Sequence, residues 1–413
     1  MSHALSGVFK TMDFTLDPEL QRIRDLAKDL AADFATRAIQ HDQETSHTSE
    51  NYAKLKEAGF CQLCAAREYG GKGAGVLGWV VAAEELAQGC PSTAVSFNMH
   101  VATQFAYLMK ANFAESYKQR FGDLIVRPNK LLAAILSEPG TTGLLPSTFA
   151  CSTQARRVDG GWLLNGTKGF CTMAQSADML NIFAHPQESE DPEAALSFLI
   201  SPQLPGIRFE RNWNTLGMRA TRSDNMVLEH VFVPEQGLYC EIPNAGKFVS
   251  DSEPLYNLPY TAVYLGIAVG ALEAAKEAVH RRLPKGYKQS LAYHPDIRRR
   301  IAQAAAQIDA GRLMVRECAW SLDREGQTPR VTANYFKTKY FVGETVAAVT
   351  RSCLEMGGAH ALFKGGRLEL LFRDGVTATI HHPPSDYCLS EASIFELQLD
   401  RKEVQPMVPK GWD

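Results

Sequence analysis

The sequence predicts an α+β protein, mostly helical, in which a β domain separates two helical domains. Three observations predict it. Apolar residues recur every three to four positions across roughly 16–120. Short apolar runs then alternate with Gly, Pro and Asn turns across 131–240. The helical period returns from about Leu258. The expected division is an N-terminal helical domain over 1–130, a middle β barrel or sandwich over 131–245, and a C-terminal four-helix bundle domain over 246–413.

Asp17-Pro18-Glu19 opens the first helix, with a capping oxygen, a proline where no N–H is needed, and an acid in the first turn. Leu20, Ile23, Leu26, Ala27 and Leu30 form its apolar stripe. A second helix is expected over 44–59, closed by Gly59, and two more over 76–87 and 92–109. After Pro128 the runs LLAAIL, WLLNGTK, LSFLI and NMVLEHVFV read as strands. The acidic stretch HPQESEDPEA, 185–194, reads as a solvent loop. Helices over 262–283, 296–324, 332–356 and 385–399 are long enough for the four-helix bundle.

Composition excludes several classes. A net charge of −3 and no basic tail argue against a nucleic-acid or membrane-surface partner. The charge-free run 255–272 is at the lower edge of a membrane span, but it holds Asn257, Pro259, two Gly and three Tyr, and reads as a buried core helix. Nine Cys without a framework, behind an N-terminus lacking a signal-like apolar core, lead us to expect reduced thiols and a cytoplasmic location.

Four motifs carry less than they promise. Gly73-Ala-Gly75-Val-Leu-Gly78 matches GxGxxG, but polar residues stand where a buried strand should, and position 98 is Asn. Cys61 and Cys64 have zinc-knuckle spacing with no second pair. His381-His382 lacks accompanying ligands, and Arg298-Arg299-Arg300 splays around a helix.

The chemistry is concentrated in 136–177, LSEPGTTGLLPSTFACSTQARRVDGGWLLNGTKGFCTMAQSA. It joins an acid–Pro–Gly turn to small hydroxylated residues and a WLLNG hairpin. This stretch, the segment Leu216-Gly217-Met218-Arg219, and the C-terminal Gly357-Gly358 and Arg373-Asp374 resemble the acyl-CoA dehydrogenase superfamily. The helix–β–helix order is also that family's, and the resemblance runs from Phe14 to about Leu399. It implies a flavoenzyme with FAD. Leu136 and Ser137 would meet the pyrimidine side of the ring, Thr141, Thr142 and Gly143 the pyrophosphate, Phe170 the ring face and Thr172 the N5 edge. Gly357 and Gly358, with Arg282 as the matching cation, would serve the diphosphate of a neighbouring subunit's FAD, so a homotetramer is expected.

One expected residue is missing. Where the family usually carries the Glu that removes the substrate's α-proton, counting from Arg373-Asp374 gives His382. The alternative position on the first bundle helix falls near Tyr260. A His at the first site resembles the reduced-flavin monooxygenases that share the fold, where a neutral imidazole can hydrogen-bond and exchange a proton near pH 7. His100 would be a second partner in the same cavity. Three readings follow. The first is a monooxygenase-like enzyme acting on a small organic molecule, supplied by a flavin reductase. The second is an acyl-CoA dehydrogenase with an unorthodox base, His382, Asp386 or Glu391, passing electrons to an electron-transfer flavoprotein. The third is a non-catalytic flavoprotein.

Overall fold

The computed structural model describes residues 15–110, 113–140, 151–400 and 404. Helix α1 (Pro18–Glu44) starts where Asp17 accepts from the backbone N–H of Glu19 and Leu20 at 2.9 and 2.8 Å. Its buried stripe is Ile23, Ala27, Ala31, Phe34 and Ala38. The helix runs on to the point where a second was expected to begin, and Thr45 stops it in the left-handed region (φ 50°). The second helix, α2 (Ser49–Glu57), is therefore short, with Gly59 at φ 79° behind it.

Next come α3 (Gly75–Gly89), α4 (Pro91–Leu108) and α5 (Glu115–Phe121). The glycine run before α3 serves docking rather than nucleotide binding. Asp323 caps the helix by accepting from Val76 and Leu77 N–H at 2.8 and 2.9 Å. A Cβ on Gly75 would stand 2.6 Å from that carboxylate.

The β domain contains β1 (Leu132–Ile135), β2 (Gln154–Val158), β3 (Gly161–Lys168), β4 (Met179–Pro186), β5 (Ala195–Ile200), β6 (Ile207–Phe209), β7 (Met226–Pro234) and β8 (Leu238–Ile242). They form a sheet in the order β6-β7-β3-β2-β4-β5-β8, with β1 parallel beside β4, Leu132 opposite Met179. Tyr107 of α4 seals one end of the sheet, edge-on to Tyr239 of β8 at 5.0 Å.

The C-terminal part is α6 (Ala245–Ser250), α7 (Glu253–Arg281), α8 (Pro295–Glu325), α9 (Pro329–Gly357), α10 (Arg367–Gly375), α11 (Thr377–Ile380) and α12 (Ser385–Glu396). Helix α7 begins at Glu253, before the 262 that periodicity gave and two residues before the run 255–272 read as a buried core helix. Pro254 lies in the first turn, where its missing N–H costs nothing. Pro259 lies inside and forfeits a backbone bond, but α7 packs against α3, α4, α8, α9 and α10, and that burial outweighs the loss. The run 255–272 lies in this core helix, whose most apolar window is 83% buried.

Candidate active site

A cleft of about 2680 Å³ opens between the β domain and helices α4, α7, α11 and α12. One wall is made by the β domain, the other by the helices.

The β wall begins where β1 runs out into Leu136, Ser137 and Glu138, all of which line the cleft. Glu138 is buried and meets the buried Lys168 ammonium at 2.5 Å. It also accepts from Ser152 N–H at 2.5 Å and Thr153 N–H at 3.2 Å. Burial alone would raise the Glu138 carboxyl, but Lys168 and these donors outweigh it and hold it below its usual value. The charged pair thus ties both ends of the 139–151 connection to the end of β3. Thr141, Thr142 and Gly143 lie in that connection, outside the described residues.

Phe170 is 64% exposed in the cleft, at φ 53°, edge-on to Trp213 at 5.8 Å. A left-handed Phe with a bare ring face is strained and solvent-exposed unless something apolar covers it. Thr172 lies beside it in a chain of hydroxyls. Thr172 Oγ1 is 2.8 Å from Ser223 Oγ, which is 2.8 Å from Thr221 Oγ1, which donates to the Met218 carbonyl at 2.9 Å. The terminal carbonyl only accepts, so each hydroxyl donates along the chain and Thr172 keeps its lone pairs for the cleft.

The LGMR and RD segments meet beneath this wall. Asp374 accepts from Met218 N–H at 2.6 Å, and burial pushes its carboxyl up to about 7. Arg373 bridges Asp42 at 2.6 Å and Glu369 at 2.7 Å. Both signature motifs therefore join α1, α10 and the β domain into one frame under the cleft.

On the helical wall, Tyr260 and Tyr264 of α7 meet His381, which follows α11. Ring centroids lie 4.7 and 5.9 Å apart, both edge-on. Burial pulls the His381 imidazole down to about 3, helped by Lys339 and His382 nearby. Lys339 is buried behind it, donating to the Ala378 carbonyl at 2.7 Å, and burial lowers its ammonium to about 8. His381 is therefore neutral at ordinary pH. His382 also lines the cleft but is 45% exposed, with Nε2 3.4 Å from Glu253 Oε1. Asp386 and Glu391 of α12 line the same side.

Sequence reasoning picked out His382 and passed over His381 as a cleft residue. Alignment counting selects one position, whereas the loop between α11 and Pro383 turns the preceding residue inward. Sequence reasoning named Asp386 and Glu391, which line this wall, but missed Glu253, which lies two turns before the position it considered on α7.

His100 stands apart from the cleft. Its Nδ1 accepts from Leu132 N–H at 3.0 Å, which places the proton on Nε2 for the Cys61 carbonyl at 2.9 Å. Burial lowers its pKa to about 4. It pins α4 to β1 and to the turn after α2. Arg282, Gly357 and Gly358 come together elsewhere on the surface, with Arg282 Nη1 3.4 Å from the Gly357 carbonyl. Gly358 has φ 67°, and a Cβ there would strike the guanidinium at 2.6 Å. Among the described residues no three His, Cys, Asp or Glu side chains are placed to hold a metal.

The cleft fits a flavin. Its volume exceeds that of a flavin ring system with a substrate, Phe170 and Trp213 offer an apolar face, and Thr172 offers an acceptor at the edge. Family models for the N-terminal, middle and C-terminal domains of acyl-CoA dehydrogenase match residues 17–124, 133–231 and 258–383. Among curated relatives, the putative acyl-CoA dehydrogenase YdbM of Bacillus subtilis is 27% identical over 363 residues, 86% of this chain and 91% of that one. The fold is shared with butyryl-CoA dehydrogenase of Megasphaera elsdenii, TM-score 0.81 at 23% identity, covering 94% of this chain and 100% of that one. It is shared equally with FMN-bound TdsC of Paenibacillus sp. A11-2, TM-score 0.81 at 24% identity, covering 91% and 97%. The chain belongs to the acyl-CoA dehydrogenase superfamily and is a flavin-dependent oxidoreductase.

Proposed function

We propose that the chain is a monooxygenase-like enzyme that uses FAD to act on a small organic molecule, with a flavin reductase as its electron partner. The observation that carries this reading is the helical wall itself. Where the family resemblance leads one to expect the dehydrogenation carboxylate the chain carries His382, and its neighbour His381 faces two tyrosines as a neutral imidazole. TdsC is described as a dibenzothiophene monooxygenase, which supports the same direction.

Bound flavin supplies the electron chemistry and, once reduced, reaction with dioxygen. The chain's own residues do the rest. Glu138 and Lys168 hold the end of β1 to the end of β3 beside the cleft, and Phe170 with Trp213 excludes water from one face. Thr172 offers an acceptor that suits an N–H. His381, neutral and half-buried, can hold or pass a proton at a ring nitrogen without carrying charge into the cleft. Arg282 with Gly357 and Gly358 would serve the diphosphate bound by another subunit of a homotetramer.

Charge also supports a small substrate over a polyanionic coenzyme A thioester. Apart from Glu138, which Lys168 neutralises, Asp251, Glu253, Asp386, Glu391 and Glu396 line the cleft among the described residues, against Lys110 and Lys247. Both lysines lie beside Asp251, at 3.8 and 2.8 Å. The second reading, acyl-CoA dehydrogenation, keeps the support of relatives such as YdbM, and Glu253 would be its carboxylate. The two separate on reduction: an acyl-CoA bleaches the oxidised flavin only under the second.

A further inference from the structure

Buried polar atoms in folded proteins are almost all paired, so an unpaired one asks for an explanation. Among the described residues lining the cleft, three buried side-chain atoms have no hydrogen-bond partner: Glu253 Oε1, the Tyr264 hydroxyl and His381 Nδ1. All three belong to the helical wall. On the β wall Glu138, Thr172 and Ser223 are engaged with their own neighbours. The unmet demand therefore lies on the side away from the proposed flavin contacts, where a substrate would sit.

The three atoms are not equivalent. Tyr264 and His381 touch and can each give or take a hydrogen bond. Glu253 sits at the other end, about 16 Å away along α7 at 1.5 Å per residue. It is 8% exposed. Its nearest basic neighbour is the half-exposed His382, at 3.4 Å and without a hydrogen bond. A carboxylate removed from water with no hydrogen-bonded cation is costly, and a cationic ligand would relieve the cost. Asp386 and Glu391 line the same cleft and add a field of the same sign.

We propose that the substrate carries a protonated amine held by Glu253, with a polar group at its far end meeting Tyr264 and His381. This makes Glu253 the specificity-determining residue, and it rests on the reading of the cleft as the substrate cavity of a flavin enzyme.

The test is calorimetric titration of the FAD-loaded protein with hexylamine, hexan-1-ol and hexanoate, with the flavin absorbance recorded in parallel. The amine should bind at least about tenfold more tightly than the alcohol, as a charge-assisted hydrogen bond supplies, and hexanoate more weakly than either. Glu253→Gln should erase the amine preference and keep the alcohol affinity. It should also melt no lower than the parent, because it removes an uncompensated buried charge. A carboxylate present only to hold α7 would melt lower when replaced, and that result overturns the proposal. So does an amine preference that is absent, or that survives in Glu253→Gln. Protein that binds no FAD, yet still prefers the amine in calorimetry, would sink the flavin reading and leave this site standing.

Discussion

His381 and His382 are neighbours in sequence and differ in setting. His381 is half-buried against Tyr260 and Tyr264, with burial pulling its pKa to about 3, whereas His382 is half-open beside Glu253. Replacing His381 with Ala should slow the chemical step by roughly 10²–10⁴-fold, the range for a positioned acid–base group, and His382→Ala should cost less. Single-turnover rates check this, and an equal or larger loss in His382→Ala reverses the assignment. Because His381 is already neutral well below ordinary pH, it should add no titration to that rate above about pH 5. Which of two adjacent histidines turns inward depends on the backbone between α11 and Pro383, and no residue pattern reveals it. Glu253 and His382 are likewise distant in the chain, so their 3.4 Å approach is a fact of folding alone.

At the scale of the element, helix periodicity was readable wherever a clean stripe existed, as in α1, α8 and α9. At the start of α7 periodicity alone pointed to 258–262, because burial on every side leaves no polar face to mark the period, whereas the charge-free run 255–272 already read as a buried core helix and came within two residues of the true start at Glu253. The flavin-side segment was legible as a motif, but its fastening was not. Glu138 and Lys168 sit on separate strand ends, and their pairing excludes water from both. Lys168→Met should therefore destabilise the protein by about 3–5 kcal/mol near neutral pH by leaving a buried carboxylate alone. The Glu138 carboxyl is depressed in the folded state, so its contribution is present above the ordinary value of 4.5 and is lost as pH falls. The deficit of Lys168→Met should shrink in acid, which urea denaturation at two pH values would read. A deficit below about 1 kcal/mol at neutral pH would mean that the pair is spread over water rather than enclosed.

For the whole molecule, two expectations concern stability and assembly. His100 is buried with its pKa lowered from 6.5 to about 4, because burial disfavours its charged form. Its neutral-state stabilisation is complete above 6.5 and falls away in acid, by about 3 kcal/mol once pH reaches 4. His100→Asn should flatten the acid limb of the thermal-stability profile, and an unchanged limb would place the acid sensitivity elsewhere. Assembly follows from the placing of Arg282, Gly357 and Gly358 away from the cleft. Exposed Leu283, Tyr287, Leu362 and Phe363 flank them in sequence, and apolar groups of that size in water suit a subunit interface. Sedimentation should show a tetramer, or at least a dimer, and Phe363→Asp should weaken it. A monomer at micromolar concentration would remove the shared-site argument.

The central claim is that this cleft does not run thioester dehydrogenation. The most direct measurement is anaerobic mixing of the oxidised FAD-loaded protein with short-, medium- and long-chain acyl-CoAs while the oxidised-flavin absorbance is followed. The histidine wall and the acidic lining predict a band that persists with every thioester, and reduced protein that consumes oxygen faster when an amine substrate is present. Rapid bleaching by any acyl-CoA would contradict the account and identify a dehydrogenase.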